Sequence, residues 1–167
     1  AIGGTGALKI GADLLKRINP NAKVLISDPS WENHRALFEA AGFEVTQYPY
    51  YDAATQGLNL EGMLKGLSSA AAGSIVVLHA CCHNPTGVDP TADEWREIAR
   101  VVRARELVPF LDMAYQGFGD GIEADSAAVR LFAEAGGPVF VSSSFSKSFS
   151  LYGERVGALS IVTESRD

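Results

Sequence analysis

The chain has 167 residues, 47% hydrophobic and 20% charged, a balance that argues against disorder and fits one globular domain. The formal charge is −6 with acids and bases interspersed, so nucleic acid and anionic membrane are poor partners. No apolar run is long enough for a membrane-crossing helix, and the adjacent pair Cys81 and Cys82 suits a reducing, cytoplasmic setting better than a disulfide framework.

The hydrophobic period alternates along the chain between helical and extended. The pattern predicts a helix over Thr5 to Arg17, a strand over Lys23 to Ser27, a helix over Trp31 to Ala41, then a strand over Phe43 to Thr46. A helix over Leu60 to Leu67 and a strand over Ser74 to His79 follow. Next come a helix from Ala92 to Arg105, a strand from Leu107 to Leu111 and a helix from Ser126 to Ala135. Strands over Pro138 to Val141 and Gly157 to Val162 close the series. Thr91 with Glu94 three residues on is a capping-box signature, and Gly42 and Gly136 stand where helices want left-handed caps. Strands alternating with helices predict an α/β fold, a mostly parallel sheet with helices on both faces. Ala1 is not a methionine and the sequence stops at Ser165-Arg166-Asp167, so both ends are expected to continue in a longer protein.

In such folds ligands bind beyond the carboxyl ends of the strands, so the residues following each strand carry the interest. Gly3-Gly4-Thr5-Gly6-Ala7 opens the first helix and suits a phosphate, although a plain glycine turn fits the same letters. After the first strand, Trp31 offers a flat ring, either stacked on a flat ligand or packing the helix start, and His34 at i+3 shares its face. His79-Ala80-Cys81-Cys82-His83 invites a zinc reading, but adjacent cysteines without a second Cys/His pair do not match the usual ligand spacings, so no metal is expected. The turn Asn84-Pro85-Thr86-Gly87 can aim an amide into the crevice. Asp112 ends an apolar strand, where a carboxylate needs a cation or donor, and Tyr115 follows closely. Lys147 lies among serines, including Ser144 and Ser146, with Arg155 further on. Phe145, Phe149, Leu151 and Tyr152 make that segment too apolar for an exposed loop. Together these residues supply an anion cradle, a stacking ring, an acid, a phenol, an amide, a guanidinium and an amine, the set that pyridoxal 5'-phosphate needs.

Five stretches carry a resemblance across essentially the whole chain: Gly-Gly-Thr-Gly-Ala, Pro-Ser-Trp-x-Asn-His, Cys-Cys-His-Asn-Pro-Thr-Gly, Asp-x-Ala-Tyr-Gln-Gly-Phe and Ser-x-Ser-Lys-x-Phe-x-Leu-Tyr-x-Glu-Arg-Val-Gly. In these the sequence resembles the class I aminotransferases of fold type I, the aromatic-amino-acid (tyrosine) branch first and the aspartate branch next. The resemblance implies that residues 1–167 are part of the large cofactor-binding domain, without the N-terminal arm and the C-terminal small domain. It implies that Lys147 holds the cofactor's aldehyde carbon and moves the substrate's α-proton. Asp112 would pair with the ring nitrogen, with His34 behind it, while Tyr115 and Asn84 would bond the ring oxygen. Trp31 would stack on the ring, and Gly4, Thr5, Ser144, Ser146 and Arg155 would hold the phosphate. Trp31 and Asn84 would also touch substrate, and Asp28-Pro29 and Asn84-Pro85 would be cis.

Amino-acid and 2-oxo-acid substrates, 2-oxoglutarate among them, and a homodimer follow from the same resemblance. So does an incomplete site in a lone copy, because the family's arginine for the substrate carboxylate lies outside this stretch. The rival readings are a decarboxylase or β-lyase of the same fold, a non-catalytic regulator built on it, and a plain phosphate-binding domain. The last gives Lys147, Asp112 and Tyr115 no joint role.

Overall fold

The computed structural model describes residues 1–163; the closing Ser165-Arg166-Asp167 lies outside them. The chain runs α1 (Gly3–Ile18), β1 (Lys23–Asp28), α2 (Glu32–Ala40), β2 (Glu44–Pro49), β3 (Tyr51–Asp52), β4 (Gly57–Leu58), α3 (Leu60–Ser69) and β5 (Ile75–His79). It continues with α4 (Ala92–Ala104), β6 (Val108–Met113), α5 (Ile122–Asp125), α6 (Ala127–Glu134), β7 (Val139–Ser144) and β8 (Gly157–Val162). The main sheet has the order β2-β1-β5-β6-β7-β8, parallel except for the antiparallel pair β7 and β8, while β3 and β4 form a separate small hairpin. This is the expected α/β architecture with a mostly parallel sheet.

Alternation along the strands builds a core on each face. Ile75, Val77, Phe110 and Phe140 point to the side covered by α1 and α2, where they meet Leu8, Ala12, Leu15 and Phe38. Val76, Leu78, Leu111 and Val141 point to the other side, against Met63, Leu67, Trp95, Ile98, Val102 and Phe132 from α3, α4 and α6. Helix α4 forms because Trp95, Ile98, Ala99 and Val102 repeat at helical spacing on its buried side. Its start is closed by the expected capping box: Glu94 N–H donates to Thr91 Oγ1 at 3.3 Å, and Thr91 N–H to Glu94 Oε2 at 2.7 Å.

Gly42 and Gly136 take positive φ (91° and 78°), and Asp28-Pro29 and Asn84-Pro85 are both cis, as expected. Several boundaries move. Helix α1 begins at Gly3 rather than Thr5, Trp31 caps α2 instead of opening it, and β6 and β7 run on to Met113 and Ser144. The β3–β4 hairpin and α5 lie in stretches where no element was expected.

The chain leaves β1 toward β2 on one side and later returns to β5 on the other, so the strand order reverses between β1 and β5. A crevice opens beyond the carboxyl ends at such a reversal. The segments after β1 and β5 flank it, and those after β6 and β7 extend it.

Candidate active site

A cavity of about 240 Å³ lies at those carboxyl ends. Of the residues given a role toward the cofactor or substrate, all but His34 line it: Gly4 and Thr5, Trp31, Asn84, Asp112 and Tyr115, then Ser144, Ser146, Lys147 and Arg155. His34 sits behind Asp112 and bonds to it, the placement the resemblance implied.

Asp112 belongs to β6 itself rather than following it, in register with His79 of β5 and Ser142 of β7. Its side chain lies on the α1–α2 side because its neighbours Leu111 and Met113 face the other core. Helix α2 supplies the partner: His34 Nε2 donates to Asp112 Oδ2 at 2.8 Å, with the two side chains 0% and 7% exposed. The rest of the imidazole chain has one consistent direction. Asn84 N–H, which can only donate, meets His79 Nδ1 at 3.2 Å. His79 Nε2 then donates to Ser30 Oγ at 3.4 Å, and the Ser30 hydroxyl to His34 Nδ1 at 3.0 Å. A run of hydrogen bonds thus joins the Asn84 turn to the Asp112 carboxylate. Burial, then the nearby His34 and His83, hold His79 well below the ordinary histidine range, which keeps it neutral as that direction requires.

At one end of the cavity the start of α1 meets the β7–β8 connection. Gly3 N–H donates to the Arg155 carbonyl at 2.8 Å, Ile2 bridges to Val156, and Ser142 Oγ donates to the Gly4 carbonyl at 3.0 Å. A Cβ on Gly157 would fall 2.4 Å from the Gly3 carbonyl carbon, so the approach needs glycine there. Arg155 Nη1 reaches Ser146 Oγ at 3.4 Å, and Ser146 N–H donates to Ser144 Oγ at 3.3 Å. A guanidinium, two hydroxyls and the first amides of a helix converge there, an anion cradle by donor type.

In the same cavity, Lys147 Nζ stands 4.8 Å from the centroid of the Tyr115 ring. Trp31 closes one side, edge-on to His34 at 5.3 Å between centroids, the shared face that i+3 spacing implied.

The Lys147 loop departs from expectation in one respect: Phe149 and Tyr152 are 66% and 60% exposed. Tight turns at Lys147–Ser150 and Leu151–Glu154 carry residues 148–150 to the surface; Ser146 before them stays buried, and Tyr152 borders the cavity despite its exposure.

His79, Cys81 and Tyr152 also line the cavity and were given no role toward the cofactor or substrate. His79 was legible by the rule that found Asp112, a polar residue closing an apolar strand. Cys81, Cys82 and Asp125 bring one ligand atom each within 4.8 Å of one another. Burial pushes the Cys81 thiol above its usual range, and Asp125 already accepts three backbone N–H groups, so these donors are poorly set for a metal.

An α/β sheet whose reversal crevice gathers an amine, a buried acid and an anion cradle defines a class of small-molecule site, and the comparisons narrow it. The family model for aminotransferase class I and II matches residues 1–167. The chain belongs to that family. It is 71% identical over 167 residues to an aspartate aminotransferase of Pseudomonas aeruginosa and 57% identical over 166 residues to a tyrosine aminotransferase of Klebsiella pneumoniae. These alignments take in 100% and 99% of the chain and 42% of each relative. Among solved structures, an aromatic-amino-acid aminotransferase from Burkholderia pseudomallei covalently bound to pyridoxal phosphate superposes with a TM-score of 0.99 at 72% identity. That match covers 100% of this chain and 42% of the other. The chain therefore spans less than half the length of the relatives it matches.

Proposed function

We propose that this chain is the cofactor-holding part of an aminotransferase that binds pyridoxal 5'-phosphate and moves an amino group from an aromatic amino acid or aspartate to 2-oxoglutarate. The observation that carries the reading is the convergence of Lys147, Asp112, Tyr115 and the α1–Arg155 cradle on one cavity. The donor set fits the group: an anion cradle, a buried acid, an amine and a phenol all line one cavity. When bound, the cofactor supplies an electron sink for the carbanion formed at the substrate's α-carbon.

The residues do the rest. Gly4, Thr5, Ser144, Ser146 and Arg155 hold the phosphate. Asp112, oriented by His34, keeps the ring nitrogen protonated. Tyr115 and Asn84 bond the ring oxygen, and Trp31 covers one ring face. Trp31 and Asn84 also touch substrate. Lys147 Nζ would hold the aldehyde carbon and, as a neutral amine, would take the substrate's α-proton and return one. We place the protein in the cytoplasm as a homodimer, a setting in which Cys81 and Cys82 stay free thiols.

The relatives' names divide between aspartate and aromatic substrates, so the test offers both donors. Full-length protein given tyrosine or aspartate with 2-oxoglutarate is expected to form glutamate from at least one pair. Lys147→Ala is expected to lower the rate by roughly 10²–10⁴-fold. The 167-residue chain alone is expected to turn over little or not at all. Decarboxylation or β-elimination without glutamate from the full-length protein contradicts the proposal.

A further inference from the structure

The segment after Tyr115, Gln116 to Gly121, contains three glycines and little that could give it a shape of its own. It is nonetheless wrapped around one buried carboxylate. Asp125, 6% exposed, accepts N–H from Gly117 at 2.7 Å and Gly119 at 3.0 Å on Oδ2, and from Asp120 at 2.8 Å on Oδ1. Burial works against the charge of Asp125, but the amide bonds outweigh it and hold the carboxyl below its ordinary range. The fit is close: a Cβ on Gly119 would lie 2.6 Å from Asp125 Oδ1, and Gly117 sits at φ +94°. The turn is closed by Phe118 N–H donating to the Tyr115 carbonyl at 3.0 Å and by Gln116 Nε2 donating to the Ile122 carbonyl at 3.0 Å. Gly117, the first amide on the carboxylate, is only two residues from Tyr115, whose ring stands against Lys147.

We propose that Asp125 is the positioning residue for Tyr115: by gathering the amides of Gly117, Gly119 and Asp120 it fixes the backbone that aims the Tyr115 phenol into the cavity. The inference rests on the reading of Tyr115 as a donor to the cofactor's ring oxygen. A donor to that oxygen favours its deprotonated form, so a misplaced phenol raises the pH at which the bound cofactor's visible absorbance changes. Asp125→Asn keeps the side chain's shape but sets an amide NH₂ against backbone N–H groups.

In the full-length protein loaded with pyridoxal phosphate, Asp125→Asn is expected to raise that pH midpoint by about one unit and weaken cofactor affinity by about tenfold. Tyr115→Phe is expected to shift the midpoint the same way. Adding Asp125→Asn to Tyr115→Phe is expected to shift it no further, because both act through one phenol. A parental midpoint in Asp125→Asn, or fully additive shifts in the double variant, overturns the inference. If Asp125→Asn does not fold, Gly119→Ala attacks the same contact from the backbone side and is read by the same outcomes. A parent protein that takes no cofactor overturns the reading of the site instead. A crystal structure of unloaded Asp125→Asn then decides about Asp125: a displaced Tyr115 ring supports it and an unmoved ring refutes it.

Discussion

His83 is buried beneath the cavity with both ring nitrogens engaged, Nε2 with Ser27 Oγ at 2.9 Å and Nδ1 with Thr86 Oγ1 at 2.8 Å. Its ring stacks on Tyr50 at 3.8 Å between centroids. Burial, with His34 adding to it, lowers its pKa to about 4. An unfolded histidine titrates near pH 6.5, so between about 6.5 and 4 the unfolded state binds more protons and stability rises with pH. The contribution is present above the upper limit and lost on acidification through the lower, by about 3 kcal/mol across the window. Urea unfolding at pH 7 and pH 4.5 is expected to show that loss in the parent and a shallower one in His83→Gln, with His79 supplying the remainder. An equal loss in both would remove His83 from the explanation. The residue scale is also where the sequence spoke most clearly about chemistry. Asp112 is a charge closing an apolar strand, a costly placement that announces a partner, and His34 is that partner. Asp125 gives no such sign, since in the sequence it is one acid in a polar stretch and only the fold buries it.

Helix α1 shows why some elements were legible and others were not. Ala7, Leu8, Gly11, Ala12 and Leu15 make one apolar face, and that spacing alone predicts a helix lying on the sheet. What spacing does not reveal is how close it lies. A Cβ on Gly11 would come 2.5 Å from Phe110 Cζ, so the helix rides directly on the β6 ring. Gly11→Ala, usually favourable within a helix, is expected here to destabilise by about 1–3 kcal/mol, measured as a lowered unfolding midpoint. A raised midpoint would mean that α1 can lift without cost. The β3–β4 hairpin escaped prediction because strands of two residues carry no period to detect. The helix boundary at Trp31 slipped because the residue continues the helical pattern while its backbone is extended (φ −60°, ψ 125°). The Lys147 loop read as inward because of its aromatic content, yet turn geometry and not composition decides which rings are covered: Phe149 stands exposed, and Tyr152 borders the cavity while remaining largely exposed.

At the scale of the whole molecule, the alternating order of elements was enough to give the sheet, its two covered faces and the end at which the cavity lies. It could not give the antiparallel pairing of β8, which depends on where the long β7–β8 connection returns. That connection matters most to the site, because it carries Lys147 and Arg155 and ties the latter to the start of α1. Residues separated by almost the full length of the chain thereby share one small-molecule site. Its most direct test is chemical: load full-length protein with pyridoxal phosphate, reduce with borohydride and map the peptides. The predicted result is a pyridoxyl group on Lys147 Nζ; label confined to other lysines, or none, would contradict it.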